Sequence, residues 1–250
     1  MNKAKMKSLP TLCFLLLCLL SSALDAQSHR WDGRLAHSID LVIGGDFGFR
    51  ILDQDASQND IINAYDNRNL FENYKLSHRF GFNYYHGIGP NLAIKTGLRW
   101  ANPGFSISAI SPIDINQDIN EIQKIYDEYG TTYRYNYQLL EIPLGLKFVL
   151  PKSVCNPFFE VGIAPNYYRK TVVEQKGPFG ESFSNAIEED INRWNFVGFL
   201  SAGGNFAISN SISGFTQMVG RYQINSLRKS ALSERMISLG IEIGIKYYLQ

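Results

Sequence analysis

The last fourteen residues, Ile237 to Gln250, alternate between two kinds of side chain. Odd-numbered positions are Ile, Leu or Tyr, and even-numbered positions are Gly, polar or charged. A period of two is typical of a β-strand whose faces meet different surroundings. The stretch exceeds the ~5–6 residues usual for strands of soluble domains and suits the ~9–11 residues of a tilted membrane-spanning strand. It therefore predicts a strand that crosses a membrane.

Seven earlier stretches share this alternation to different degrees. The eight predicted strands are Ile39 to Arg50, Leu76 to His86, Leu92 to Trp100, Tyr133 to Leu150, Phe158 to Lys170, Arg193 to Ile208, Ser211 to Gln223 and Ile237 to Gln250. The sixth and seventh are the least regular, because apolar residues fall on both faces. We assign Asn195, Ser201, Asn205, Gln217 and Arg221 to their polar face.

The connections between these strands alternate between long and short. This alternation is expected of an outer-membrane barrel, which has tight turns on one side and extended loops on the other. The sequence thus predicts an all-β, eight-stranded, antiparallel up-and-down transmembrane β-barrel. Its short turns are periplasmic, together with both termini, and its long loops are extracellular.

Local signals add three finer expectations. Ser111, Pro112 and the apolar spacing up to Tyr129 predict a helix in the longest loop, either capping the barrel mouth or docking a partner. Pro143 lacks a backbone donor, so a bulge is expected within the fourth strand. The tyrosines that begin this strand predict part of an aromatic girdle; they are Tyr133, Tyr135 and Tyr137.

The polar faces of the strands carry charges of both signs and many glycines. The charged positions predicted to form a structural network in the lumen are Asp40, Asp46, Arg79, Lys95, Arg99, Glu141, Lys147, Glu160, Arg221, Glu242 and Lys246. Small residues suit the crowded interior of an eight-stranded barrel, and buried ions need partners. A soluble lipocalin-like barrel, with the apolar faces inside, is the alternative, but its wet outer face would not need so many glycines.

The N-terminus has the layout of a secretory signal peptide, with a basic start, a short apolar run and small residues up to Ala26. We predict residues 1–26 as signal peptide and 27–250 as the barrel domain, with cleavage after Ala23 as the alternative because Leu24 is not ideal at the −3 position. Cleavage after Ala26 leaves Cys155 as the one cysteine, so the mature chain forms no intramolecular disulfide. It also removes three lysines and one aspartate, which changes the net charge from +1 to −1. This balance argues against nucleic acid as a partner.

Candidate chemistry is sparse. Ser77 and His78 could belong to a lipid hydrolase, but a third, orienting carboxylate is not identifiable from sequence. No spacing of His29, His37 and His86 resembles a zinc site. The acidic run at 188–190 is typical of a solvated loop. We predict no catalytic residue, metal or cofactor.

The stretch from Tyr137 to Lys147, with Glu141-Ile142-Pro143-Leu144 at its centre, resembles a motif of PorT-like outer-membrane β-barrel proteins. The run from Pro157 to Gly162 and the glycine-rich closing strand are also similar to that family. The resemblance implies an eight-stranded barrel in the outer membrane of a Gram-negative cell. It also implies a connection with protein export, since PorT is associated with a secretion system.

These observations predict a non-enzymatic integral outer-membrane protein with a structural or interaction role, accessory to protein export or envelope assembly. Its expected partners are outer-membrane lipid and other envelope or secretion proteins, which it would contact through the extracellular loops. A narrow solute channel and a lipid-modifying enzyme are the alternatives.

Overall fold

The computed structural model describes residues 37–53, 72–109, 131–150, 155–177, 182–187, 191–227 and 233–249. These ranges form twelve strands: β1 (Ser38–Asp53), β2 (Glu72–Asn73), β3 (Lys75–Gly87), β4 (Leu92–Ala101), β5 (Gly104–Ala109), β6 (Thr131–Glu141), β7 (Leu144–Val149), β8 (Asn156–Lys176), β9 (Ser182–Ile187), β10 (Trp194–Ala207), β11 (Ile212–Gln223) and β12 (Ser233–Tyr248). The predicted signal peptide, the loop helix and the acidic run lie outside the described residues. Across the described ranges, no helix has the length and apolarity to cross a membrane.

The strands close into an antiparallel barrel with eight positions around the ring. Each position, here called a stave, holds one strand or two strands in line, and the eight staves confirm the predicted barrel. β1 closes the ring by pairing with β12 from Ser38–Tyr248 to Asp53–Ser233, and its other edge pairs with β3. The fourth stave consists of β6 followed by β7, and both pair with β8. Short connections lie at the end that holds His37 and Leu249, here called the turn end. The opposite end is called the loop end.

The sheet extends further at the loop end than the sequence pattern predicts. β5 continues the stave of β4, β2 pairs with β5, and β9 pairs with the last part of β8. Together β2, β5, β6, β8 and β9 form a five-stranded extension. The segments 171–192 and 101–132 were predicted as a loop and an insertion, and both predictions are wrong where these strands lie. β9 (SFSNAI) is polar and alternates weakly, which hides it from a pattern of period two. β5 (GFSISA) does alternate, with Phe105 and Ile107 on one face, but it is short and lies within a long insertion.

The fourth predicted strand is interrupted at the expected proline. β6 ends at Glu141 and β7 begins at Leu144, so Pro143 lies in a break of the ladder. The backbone amide of Ile142 still donates to the carbonyl of Pro165 at 2.9 Å. The stave therefore keeps its course across the break.

The apolar faces of the strands point outward, as predicted for a membrane barrel. In the closing strand Leu239, Ile241, Ile243 and Ile245 are all more than half exposed, whereas Glu242 between them is fully buried. The sixth and seventh predicted strands follow the same rule, with Asn195, Ser201, Asn205, Gln217 and Arg221 all buried. A lipocalin-like arrangement would require the reverse orientation.

One tyrosine of the predicted girdle lies inside the barrel. Tyr137 is fully buried and packs with Phe105, Leu139 and Met236 near the loop end, and Tyr135 stacks on Phe105 with ring centroids 4.7 Å apart. The girdle prediction is wrong for Tyr137, because the odd-numbered positions of this strand share the lumenal face with Glu141. Residue type suggested an interface, but register decides the direction of a strand side chain.

Candidate functional site

The lumen holds all eleven charged residues that the sequence singled out. Each is at most 7% exposed. Five are carboxylates and six are cations, and every one of the carboxylates lies within salt-bridge distance of a cation. The period-two pattern brings them to one face of each stave, and closure of the ring then brings the staves together.

The half of the network nearer the loop end is a chain of carboxylates bridged by arginines. Arg79 forms salt bridges with both Asp46 and Glu141. Arg221 donates to Asp46 Oδ1 at 2.7 Å and also pairs with Glu242. Two guanidinium groups thereby link three carboxylates on different staves. Arginine suits this role because its planar fork can donate in several directions.

Glu242 is the centre of the network. Its Oε1 accepts from Arg99 Nη1 at 2.8 Å and from Arg221, and its Oε2 accepts from the side-chain amide of Gln217. Arg99 also donates from Nε to Asn83 Oδ1 at 2.9 Å. A fully buried carboxylate is tolerable only when it is paired and hydrogen-bonded in this way.

Glu160 is a second centre, nearer the turn end. It pairs with Lys95, lies 3.2 Å from Lys147 Nζ, and accepts a 2.9 Å hydrogen bond from the Tyr85 hydroxyl. The Ser201 hydroxyl lies 3.4 Å from Glu160 Oε2 and 3.3 Å from Gln217 Oε1, so it connects the two centres.

Tyr85 is a lumenal residue that reasoning about charges missed. The ammonium groups of Lys95, Lys147 and Lys246 lie 5.7, 4.8 and 4.2 Å from its ring centroid, within cation–π range. Lys246 also lies 3.4 Å from Asp40. Tyr85 could have been assigned to the lumen from its position in the strand, because it lies on the same face as Arg79 and Asn83. Three lysine ammonium groups thus lie around one aromatic ring at the turn end.

The loop end of the lumen is closed by apolar and aromatic side chains. The buried cluster contains Ala101, Phe105, Tyr137, Leu139, Ile191, Leu227 and Met236. Arg50 lies over the Phe105 ring at 3.8 Å and forms a 2.7 Å salt bridge with Glu234. The sequence alternation identified few of these residues, because several come from loops or from the unpredicted β5.

Little free volume remains inside the barrel. Two internal cavities of about 10 and 30 Å³ lie among the network and cluster residues. A cavity needs ~10–15 Å³ to hold one water molecule, so these spaces have room for roughly one or two waters each. The described lumen is therefore packed by its own side chains along its length.

The arrangement offers little to acid–base or nucleophilic chemistry. Ser77 is buried and His78 is exposed on the opposite face of β3, so these two side chains do not form a dyad with each other. Each network carboxylate is held by at least one cation, which leaves it poorly placed to exchange a proton with a substrate. Within the described ranges, no group of three or more His, Cys, Asp or Glu is arranged around a metal position. The free thiol of Cys155 is exposed near the turn end.

Comparison with known proteins places these features in context. A family model described as "Outer membrane protein beta-barrel domain" matches residues 25–250. No curated protein sequence matches the chain significantly.

Solved structures with a similar strand arrangement have very different sequences. Neisserial surface protein A is 7% identical with a TM-score of 0.47, over 85% of this chain and 97% of that one. The Yersinia pestis attachment invasion locus protein Ail is 10% identical with a TM-score of 0.38, over 85% and 100%. The Escherichia coli outer membrane protease OmpT is 8% identical with a TM-score of 0.37, over 90% and 100%. At these values the neighbours carry no argument about activity.

Proposed function

The chain belongs to the outer membrane protein β-barrel domain family, and we propose that it serves as a closed membrane anchor with an interaction role rather than as a channel or an enzyme. In this proposal it is accessory to protein export or envelope assembly, as its resemblance to PorT-like proteins suggests. It reaches the outer membrane after export directed by the signal peptide. Its partners are outer-membrane lipid and other envelope or secretion proteins.

The filled lumen is the observation that carries this proposal. The salt-bridge network occupies the barrel from Asp40 and Lys246 at the turn end to Arg79 and Glu141. The apolar cluster around Tyr137 then closes the loop end. An eight-stranded barrel has an interior just wide enough for side chains. The two cavities that lie among the described network and cluster residues hold only a few waters, so a solute path through this part of the lumen would require the network to separate.

The loop-end extension supports an interaction role. β9 lies at one edge of this five-stranded sheet and β2 at the other. An edge strand with unpaired backbone groups can accept a strand from a partner. Phe183 on β9 and Tyr74 beside β2 are 61% and 60% exposed, so apolar surface accompanies both edges. The extension therefore offers backbone donors and aromatic side chains to a protein outside the cell.

The first experiment is a native-gel immunoblot of outer membranes extracted in mild detergent. We expect a discrete species larger than the barrel alone, and replacement of β9 residues 182–187 by a Gly-Ser segment should shift it to the size of the lone barrel. The purified variant must still show the mobility difference between unheated and boiled samples that marks a folded barrel. Migration of the wild-type protein as a lone barrel would contradict the interaction role.

A planar-bilayer recording tests the closed lumen separately. We expect the purified wild-type barrel to produce no reproducible single-channel steps. Stepwise conductance that the barrel produces by itself would favour the narrow solute channel. Altered envelope lipids after deletion of the gene would favour the lipid-modifying enzyme.

A further inference from the structure

Two histidines that are 49 residues apart face each other at the turn end of the barrel. Ser38 pairs with Tyr85 in the β1–β3 ladder, so the preceding residue, His37, lies opposite His86. Both side chains are exposed. The carbonyl of His37 accepts a 2.8 Å hydrogen bond from the amide of Leu249, which ties this residue to the end of β12 as well. The backbone therefore sets which two residues face each other.

The two rings present the same nitrogen to each other. His37 Nδ1 and His86 Nδ1 are 3.1 Å apart, with ring centroids 4.7 Å apart. The Tyr84 hydroxyl lies 2.8 Å from His37 Nδ1, and its ring stacks on that of His37. Two imidazoles and a phenol oxygen therefore converge within a few ångströms on the outer surface.

This separation suits a metal ion. With metal–nitrogen bonds of ~2.0–2.1 Å, two nitrogens 3.1 Å apart subtend roughly 100° at the metal. Adjacent ligands of a square-planar or octahedral ion lie near this angle, and copper and nickel favour such nitrogen and oxygen sites. A metal would replace the hydrogen bond between the rings, and the one between Tyr84 and His37 Nδ1, by a coordinate bond from the lone pair of each ring nitrogen.

We infer that His37 and His86 form a bidentate binding site for a first-row transition-metal dication at the turn end of the barrel. Copper binds tightest, because it stands highest in the affinity order of these ions. The stacked ring of Tyr84 orients that of His37, and water or the phenol oxygen, released from its hydrogen bond to Nδ1, completes the coordination. The site is independent of the lumen and of the proposed interaction role.

Sequence spacing could not reveal this pair. Zinc motifs read from sequence place their ligands a few residues apart on one element. Here the ligands are joined only by the pairing of two strands that are separated by a long loop. One more residue in either strand would move one imidazole to the other face of the sheet.

The test uses the mature chain from Gln27, without an affinity tag, folded in detergent and titrated with Cu²⁺. Every sample carries His29→Asn, because a free amino terminus with histidine at the third residue is itself a strong Cu²⁺ chelate. Isothermal titration calorimetry gives the affinity, and electron paramagnetic resonance reports the nitrogens bound to copper. We expect one site with two coordinated imidazole nitrogens. His37→Asn and His86→Asn should each weaken binding roughly 100-fold, because loss of one ligand removes the chelate.

The chain offers a matched control in His78. It is exposed on the same face of the same strand as His86, eight residues and about 26 Å away at ~3.3 Å per residue. His78→Asn should leave the affinity unchanged, and the chain with His29→Asn alone is the reference, here called wild type, for every variant. The inference is overturned if the double variant His37→Asn/His86→Asn binds Cu²⁺ as tightly as wild type. A spectrum with a single imidazole nitrogen in the wild-type protein would overturn it as well.

Discussion

The most informative single change in the lumen is Glu242→Gln. The substitution keeps the size and shape of the side chain but removes the negative charge that faces Arg99 and Arg221. Gln217 would also donate to a neutral amide instead of a carboxylate. Two arginines buried in the lumen would then lack their common counter-ion.

The expected loss follows from the contacts. Hydrogen bonds to charged groups contribute ~1.5–3 kcal/mol each, and Glu242 accepts three of them. The amide oxygen of the new Gln can retain part of this interaction. Removing one partner of a buried ion pair typically costs ~3–5 kcal/mol, and we expect Glu242→Gln to lower the free energy of unfolding by about that much.

Urea unfolding of the barrel in lipid vesicles measures this change. Tryptophan fluorescence follows the transition, and the mobility of unheated samples on gels gives an independent measure of the folded fraction. The control is Lys176→Gln on the loop-end extension, which also removes one charge but at an exposed position, and its loss should stay below ~1 kcal/mol. Adding Arg221→Gln to Glu242→Gln should cost less than the two single changes together, with a coupling of ~1–3 kcal/mol. If the free energy of unfolding of Glu242→Gln lies within ~1 kcal/mol of that of wild type, the network contributes little to the stability of the barrel.

Three further predictions use the same unfolding assay. A Cβ at lumenal Gly81 would lie 2.3 Å from the carbonyl oxygen of Leu98, so Gly81→Ala should lower the free energy of unfolding by ~1–3 kcal/mol. Gly89 has open space around it, and Gly89→Ala should lower it little. Ile241→Lys places a charge in the middle of the outer face and should lower the free energy of unfolding by ~2–4 kcal/mol, whereas Ser184→Lys on exposed β9 should hardly change it. Equal losses would contradict the outward orientation of Ile241. Tyr137→Ala should lower the free energy of unfolding by ~3–5 kcal/mol. It should still produce no conductance in planar bilayers, because the ion pairs below it fill the lumen, and a conducting variant would show that the loop-end cluster alone closes the barrel.

The inward or outward direction of most strand side chains could be predicted from the sequence alone. Side-chain direction in a strand follows from a local period of two, so Glu242 and Ile241 could be assigned to opposite faces without any knowledge of their neighbours. The same local rule predicted the number of staves. The prediction was wrong where residue type was preferred to this rule, as at Tyr137, because the tyrosine suggested an interface while its register with Glu141 places the ring in the lumen.

Which of these residues contact each other depends on how the strands assemble into the barrel. Arg221 and Asp46 are 175 positions apart, and Arg99 and Glu242 are 143 apart. Their contact depends on the register of every intervening stave and on closure of the ring. His37 and His86 face each other for the same reason. The pairing of distant strands depends on many backbone hydrogen bonds together and on packing across the lumen. A local pattern of side chains does not specify which distant strand will supply these contacts.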